Sequence, residues 1–303
     1  ASSDFLPEKL VNLIASIISF FDAASRALAG SKNSGPLSVW AKPTTRTSFA
    51  EIFLESVRRV IDMGNSLVAF CFMSDSANLI HSPLHQRHIE LGAKLAPFGG
   101  WEMPLEYAGG GVLAEHGATR DAVGIFDVSH MGKVRILGNG AYAFANSVFT
   151  NDLDRIKPGQ AQYSMLCNDA GGVIDDLIVY LVSDEEVRFI PNAGNASTVV
   201  AHLEKIAPAG IVIENNHLKQ GIIAVQGPSA NKVVSALGLP TDHDYMAFAD
   251  AKWNGFDVSI CRTGYTGEPG YELVIENAGL VEIWNALLST GAELGILPCG
   301  LGA

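Results

Sequence analysis

"AQYSMLCNDAGGVIDDLIVYLV", residues 161–182, holds two apolar runs of strand length around the turn-forming "NDAGG", the signature of a β-hairpin. Further strands are expected at "KVRILG" (133–138), at "EVRFIPNA", where Pro191 marks an edge or strand end, and at "GIIAVQGPS" (221–229). "FDVSICRTGYTGEPGYELVIE" (256–276) reads as strand, glycine loop, strand. Helices are expected at "AYAFANSVF" (141–149), at "NASTVVAHLEKIA" (195–207) with a cap near Ser197, at "ANKVVSALG" and at "AGLVEIWNALLSTGAEL". Hairpins dominate and no βαβ repeat occurs. The class is therefore α+β: mixed, largely antiparallel sheets with packed helices.

The second strand of the hairpin carries adjacent carboxylates. Alternation puts Asp175 on one face with Val173, Leu177 and Val179, and Asp176 on the other with Ile174, Ile178 and Tyr180. They cannot form one acid–base dyad, so either acts alone. Two readings stay open for Asp176. It binds or deprotonates a ligand N–H from an apolar, aromatic face, or it sits at the wet end of the hairpin near Gly172.

The net charge is −12, which argues against nucleic acid as a partner. Residues 1–82 hold 7 acids and 7 bases; the other 25 acids and 13 bases of the 32 and 20 lie in 83–303. That shift marks a boundary. We expect a helical N-terminal extension over 1–82, with helices at 7–29 and 48–64 and a Gly/Ser/Pro linker at 29–38, followed by a folded domain over 83–303. The cysteines (71, 167, 261 and 299) are far apart without a CxxC pair, and the histidines show no HExxH spacing, so neither a disulfide framework nor a metal is expected. No apolar run approaches the ~20 residues that span a bilayer. The N-terminus fits neither a secretory signal nor a basic presequence. The expected location is the cytoplasm.

No dinucleotide, P-loop or nucleophile-elbow motif is present. "AGGGVLAEHG" reads as a flexible loop, and "NAS" at Asn195 is a glycosylation sequon in form only. "RTGYTGEPGYELVIE" is more informative: Gly264, Gly267 and Gly270 bare the backbone between Tyr265, Glu268, Tyr271 and Glu272. Aromatic faces and carboxylates beside bare backbone suit a flat heterocycle with N–H donors; an ordinary hairpin loop with solvated carboxylates is the competing reading.

Seven blocks in order, "LGAKLAPFGGWEMPLEY" (91–107), "EHGATRDAVGIFDVSHMG" (115–132), "TNDL" (150–153), "GQAQYSMLCNDAGGVIDDLIVY" (159–180), "AVQGPSA" (224–230), "RTGYTGEPGYEL" (262–273) and "PCGLGA" (298–303), closely resemble the aminomethyltransferase family, the T-proteins of the glycine cleavage system, in bacterial form. The resemblance runs from about Pro83 to Ala303. It implies the T-protein folate-binding fold and a tetrahydrofolate-dependent reaction. A one-carbon unit passes from the aminomethyl-dihydrolipoyl arm of the H-protein to tetrahydrofolate, and ammonia is released. It implies that Asp176 is the catalytic residue beside the folate nitrogens. Tyr265 and Glu272 bind the pterin, while Met131, Tyr163 and Asn192 line it, with Tyr180 and Tyr245 as further candidates. Partners are the lipoylated H-protein and tetrahydrofolate, with no metal, nucleic acid or membrane.

Two departures from the family shape the expectation. In the family an Arg and a C-terminal β-barrel domain follow "GLGA", whereas this sequence stops at Ala303. A charge-assisted hydrogen bond is worth ~1.5–3 kcal/mol, so without that Arg the chain is expected to hold the anionic folate tail weakly and to turn over poorly. Residues 1–82 match nothing in the family, and "MSDSANLIHSPLHQRH" from Met73 reads as a natural start. Three rivals remain. A folate-binding protein of iron–sulfur assembly would carry a "KGCYxGQE"-like block, absent here; the folate half of a demethylating dehydrogenase would follow a flavin fingerprint, also absent. The third is a non-catalytic folate- or H-protein-binding module.

Overall fold

The computed structural model describes residues 79–303; the helices expected at 7–29 and 48–64 lie outside them. The described chain runs β1 (Ile80–His81), α1 (His85–Glu90), β2 (Ala93–Phe98), β3 (Trp101–Tyr107), α2 (Gly111–Asp121), β4 (Val123–Asp127) and β5 (Val134–Leu137). It continues through α3 (Ala141–Val148), β6 (Gln160–Cys167), β7 (Val173–Ser183), β8 (Glu186–Ile190), α4 (Ala196–Ile206), β9 (Val212–Asn215) and β10 (Gln220–Gln226). It ends with α5 (Ala230–Ala236), β11 (Phe248–Trp253), β12 (Phe256–Cys261), β13 (Gly270–Glu276), α6 (Asn277–Gly291) and β14 (Ile296–Cys299). The strands form a 3-stranded sheet β1-β3-β2, a 6-stranded sheet β11-β12-β13-β10-β4-β14 and a 5-stranded sheet β6-β7-β8-β5-β9. Only β1–β3 and β14–β4 pair in parallel among the described strands. The α+β class read from the hairpins is what the chain adopts.

The two larger sheets pack face to face and each carries helices on its outer side. On the six-stranded sheet, Ile223, Val225, Leu273 and Ile275 meet Val233 and Val234 of α5 and Leu280, Ile283, Trp284 and Leu287 of α6. The last four recur at helical spacing, which gives α6 one apolar stripe. On the five-stranded sheet, Leu177, Val179 and Leu181 of β7 meet α3 and Val199, Val200 and Leu203 of α4. Between the sheets lies a thinner layer of Ala161, Ile178, Tyr180, Phe248 and Cys261. Arg188 of β8 spans it with a two-pronged bond to Asp250 of β11, at 2.9 and 3.0 Å. At one side the sheets join through backbone: Ala161 N donates to Met246 O at 2.7 Å, and Phe248 N to Gly159 O at 2.9 Å.

Three local readings are corrected. "AGGGVLAEHG" is not a flexible loop, because α2 begins at Gly111 and only the preceding glycines turn. Helix α4 is preceded by Asn195 rather than capped near Ser197; the Asn195 side chain is engaged elsewhere, with Asp175. In β7 the register shifts: Cys167 pairs with Val173 but Leu166 with Asp175, so Ile174 is bulged. A bulge resets the alternation. Val173 becomes 58% exposed, and Ile174 packs against the core of its sheet instead of joining the Asp176 face.

A buried ionisable group anchors the centre. Asp127, at the end of β4, takes bonds from His88 Nε2 (2.8 Å), from Ser129 N (2.9 Å) and from the Ser82 hydroxyl. Burial alone would raise its carboxyl pKa; the bonds and charge from His88, with Ser129 and Ser82, outweigh that and hold it below the usual carboxylate value. A carboxylate whose folded pKa is depressed stabilises the fold above its unfolded pKa of about 3.9, and that stability is lost as pH falls through the folded value. Urea denaturation between about pH 5 and 2 is therefore expected to show an acid limb that is shallower in Asp127→Asn. Parallel limbs would contradict this role.

Candidate functional site

The two carboxylates of β7 do point to opposite faces, and their fates differ. Asp175 is 2% exposed. Its Oδ2 accepts from Asn192 N at 2.8 Å, and its Oδ1 from Asn192 Nδ2 at 3.0 Å and Asn195 Nδ2 at 2.7 Å. It clamps the segment between β8 and α4. Asp176 is exposed at the mouth of the inter-sheet gap. The Tyr163 hydroxyl, across the β6–β7 pair, donates to Asp176 Oδ2, and that bond raises the Tyr163 pKa. Asn192 Nδ2 donates to the Asp176 carbonyl at 2.8 Å and reaches its Oδ1 at 3.4 Å. Of the two surroundings left open for Asp176, the structure shows the wet one: the side chain is open to solvent, steered by a phenol and an amide, with Ile178 and Tyr180 deeper on its face.

The opposite lip comes from the six-stranded sheet. Glu272 faces the gap beside Cys261, its register partner in β12. Burial raises its carboxyl pKa, and the Thr263 hydroxyl, which donates to Oε2, partly offsets the rise. Tyr180 Oη lies 3.2 Å from Thr263 Oγ1; with the threonine proton given to Glu272, Tyr180 donates in turn. The loop before β13 carries Tyr265, whose ring is 66% exposed. Partial burial of its hydroxyl, then the Glu272 carboxylate, with Tyr163 and Asp176 beyond, pushes its pKa up, so this phenol stands among the site's carboxylates.

Why this loop needs its glycines is clear from Gln226, 1% exposed at the end of β10. Its Nε2 donates to Thr263 O at 3.1 Å and its Oε1 accepts from Thr266 Oγ1 at 2.9 Å. A Cβ at Gly264 or Gly270 would come within 2.2 or 2.5 Å of that amide. From outside, Arg120 of α2 donates to Thr266 O (2.7 Å) and Glu268 Oε1 (2.9 Å). Glu268 is therefore a loop anchor. Tyr271 points into the apolar core and donates to Thr241 O at 2.8 Å.

Of the other expected residues, Met131 is half-buried in a turn tied to the end of β8, where Gly132 N donates to Pro191 O at 2.8 Å. Asn192 follows directly. Tyr180 is buried beneath the mouth, and Tyr245 is 70% exposed near the junction of the sheets. Sequence reasoning assigned no role to Thr263, Gln226 or Asn195, although the first two stand in the resembling blocks and the third in the sequon-like "NAS". Beyond Tyr180 the gap widens into a cleft of about 490 Å³ lined by Lys133, Arg188, Phe248, Asp250 and Val274. The mouth is a stronger candidate than this cleft: Arg188 is already spent on Glu186 and Asp250, whereas Asp176 and Tyr265 are exposed. Among the described residues no helix is long and apolar enough to cross a membrane.

Fold and candidate site together describe an α+β protein of three sheets, with two tyrosines and two carboxylates at the mouth of the gap between the larger two. Residues 84–303 match the family described as the GCVT N-terminal domain, and the chain belongs to that family. It is 57% identical over 227 residues to the aminomethyltransferase of Frankia alni, covering 75% of this chain and 62% of that protein. To the aminomethyltransferase of Mycobacterium tuberculosis it is 55% identical over 233 residues, 76% of this chain and 62% of that protein. Among solved structures it is similar to the glycine cleavage system aminomethyltransferase T from Bartonella henselae, at 34% identity and a TM-score of 0.69, covering 74% of this chain and 60% of that one. The chain thus spans about 62% of the length of these curated relatives.

Proposed function

We propose that this chain carries the pterin-binding mouth of a tetrahydrofolate-dependent aminomethyltransferase of the glycine cleavage system, working in the cytoplasm with the lipoylated H-protein. What supports the reading is that Asp176, bonded by Tyr163 and Asn192, and Glu272, bonded by Thr263, both stand at this gap in a member of this family. In the reaction the carbon–sulfur bond to the H-protein arm and the carbon–nitrogen bond to ammonia break. Two carbon–nitrogen bonds to folate form, and the two folate N–H protons end on sulfur and on ammonia. Asp176 suits that traffic: an open carboxylate accepts a proton from a folate nitrogen and hands it on. Glu272 accepts N–H bonds from the pterin, and Tyr265 offers its exposed ring for stacking.

Glu272→Gln is expected to weaken tetrahydrofolate binding about 10- to 100-fold, the worth of one charge-assisted hydrogen bond, measured by fluorescence titration. Unchanged affinity would remove Glu272 from the site. Stoichiometric H-protein binding without any one-carbon transfer, in a chain extended to the relatives' length, would favour a non-catalytic module instead.

A further inference from the structure

We propose that His81, His85 and Glu102, outside the inter-sheet mouth, form a binding site for a single divalent transition-metal ion of the zinc class. The backbone assembles the three. In the parallel β1–β3 pair His81 stands directly opposite Glu102. The "HSPLH" turn, closed by His85 N donating to Ser82 O at 2.9 Å, brings the second imidazole back over the first. The rings stack with centroids 3.9 Å apart and planes 4° from parallel. Both Nε2 atoms lie close to one oxygen: Glu102 Oε2 is 3.4 Å from that of His81 and 3.6 Å from that of His85. One ligand atom from each residue lies within 4.8 Å of the others.

Those separations fit a metal. Tetrahedral bonds of about 2.1 Å place donor atoms about 3.4 Å apart. Two imidazoles and one carboxylate are a common zinc donor set with the fourth position left to water, and imidazole selects zinc, copper or nickel over magnesium and calcium. The His81 side chain is 56% exposed, which leaves a path for the ion, while that of His85 is 18% exposed. The stacked rings hold their in-plane lone pairs parallel, so binding one ion requires each ring to turn by roughly tens of degrees, which the broad terminal torsion of a histidine side chain allows. The bound ion would staple β1 and the start of α1 to β3. Spacing alone concealed the site, because Glu102 joins the histidine pair from a different strand.

The test titrates the untagged chain, in chelator-treated buffer at pH 7.5, with ZnCl2 by calorimetry and with CoCl2 by visible absorption. The expected result is a single zinc ion per chain, a cobalt ligand-field band, and a higher thermal midpoint that EDTA reverses. Affinity should fall at least about 10- to 100-fold in both His81→Asn and Glu102→Gln, since even groups one step removed from a metal are worth that much. Zinc binding retained in both variants would overturn the proposal, as would a wild-type chain that binds no zinc up to millimolar concentration. His81 is exposed on a two-residue strand, so its substitution leaves the fold in place.

Discussion

Asp176→Asn is expected to slow one-carbon transfer about 10²- to 10⁴-fold, the range supplied by a positioned proton-transfer group, while stability stays within about 0.5 kcal/mol of the parent. The carboxylate is exposed and supports no element of the fold; its partners are the Tyr163 hydroxyl and the Asn192 amide. Asparagine keeps the shape and one acceptor oxygen. It cannot take a proton from a folate nitrogen near neutral pH. The measurement is methylenetetrahydrofolate formation from aminomethylated H-protein, in the chain extended to the length of its relatives. A rate within threefold of the parent, on the order of 0.6 kcal/mol, would exclude Asp176 from the chemistry.

Its neighbour is expected to behave in the opposite way. Asp175→Ala should destabilise the domain by about 2–4 kcal/mol, because it strands donors that now meet in one buried carboxylate. Those donors are Asn192 N, Asn192 Nδ2 and Asn195 Nδ2. Freed from Asp175, Asn192 no longer holds its place against Asp176, so folate binding should weaken as a secondary effect. Asp175→Asn should fall between, since it keeps the volume but turns an amide N–H toward those same donors. Urea midpoints read the difference directly; an alanine variant with an unchanged midpoint would show that the clamp carries no stability.

The contrast shows what the sequence could and could not reveal. Strand alternation separates the two carboxylates onto opposite faces, and the structure keeps them there. It cannot say which face is wet. The bulge at Ile174 resets the pattern at the point where the pair begins, and the apolar neighbours of Asp176 lie deeper in the gap than alternation implies. Hairpin β6–β7 and the strand–loop–strand of β12–β13 are local and therefore legible; their meeting across the gap is not, because Thr263, Gln226 and Asn195 act through contacts distant in sequence. Gln226 shows this best: it explains Gly264 and Gly270, yet only tertiary structure brings it to them. The glycines around 109–111 misled for a related reason, as a glycine turn leads straight into α2 and the pattern alone does not say where turning stops.

Whether a reduced pterin lies across this mouth is best decided by a crystal structure with tetrahydrofolate or its stable 5-formyl form. Ring nitrogens are expected within hydrogen-bond distance of both Asp176 and Glu272, with Tyr265 against the ring. A pterin bound elsewhere, out of reach of both carboxylates, would contradict this expectation.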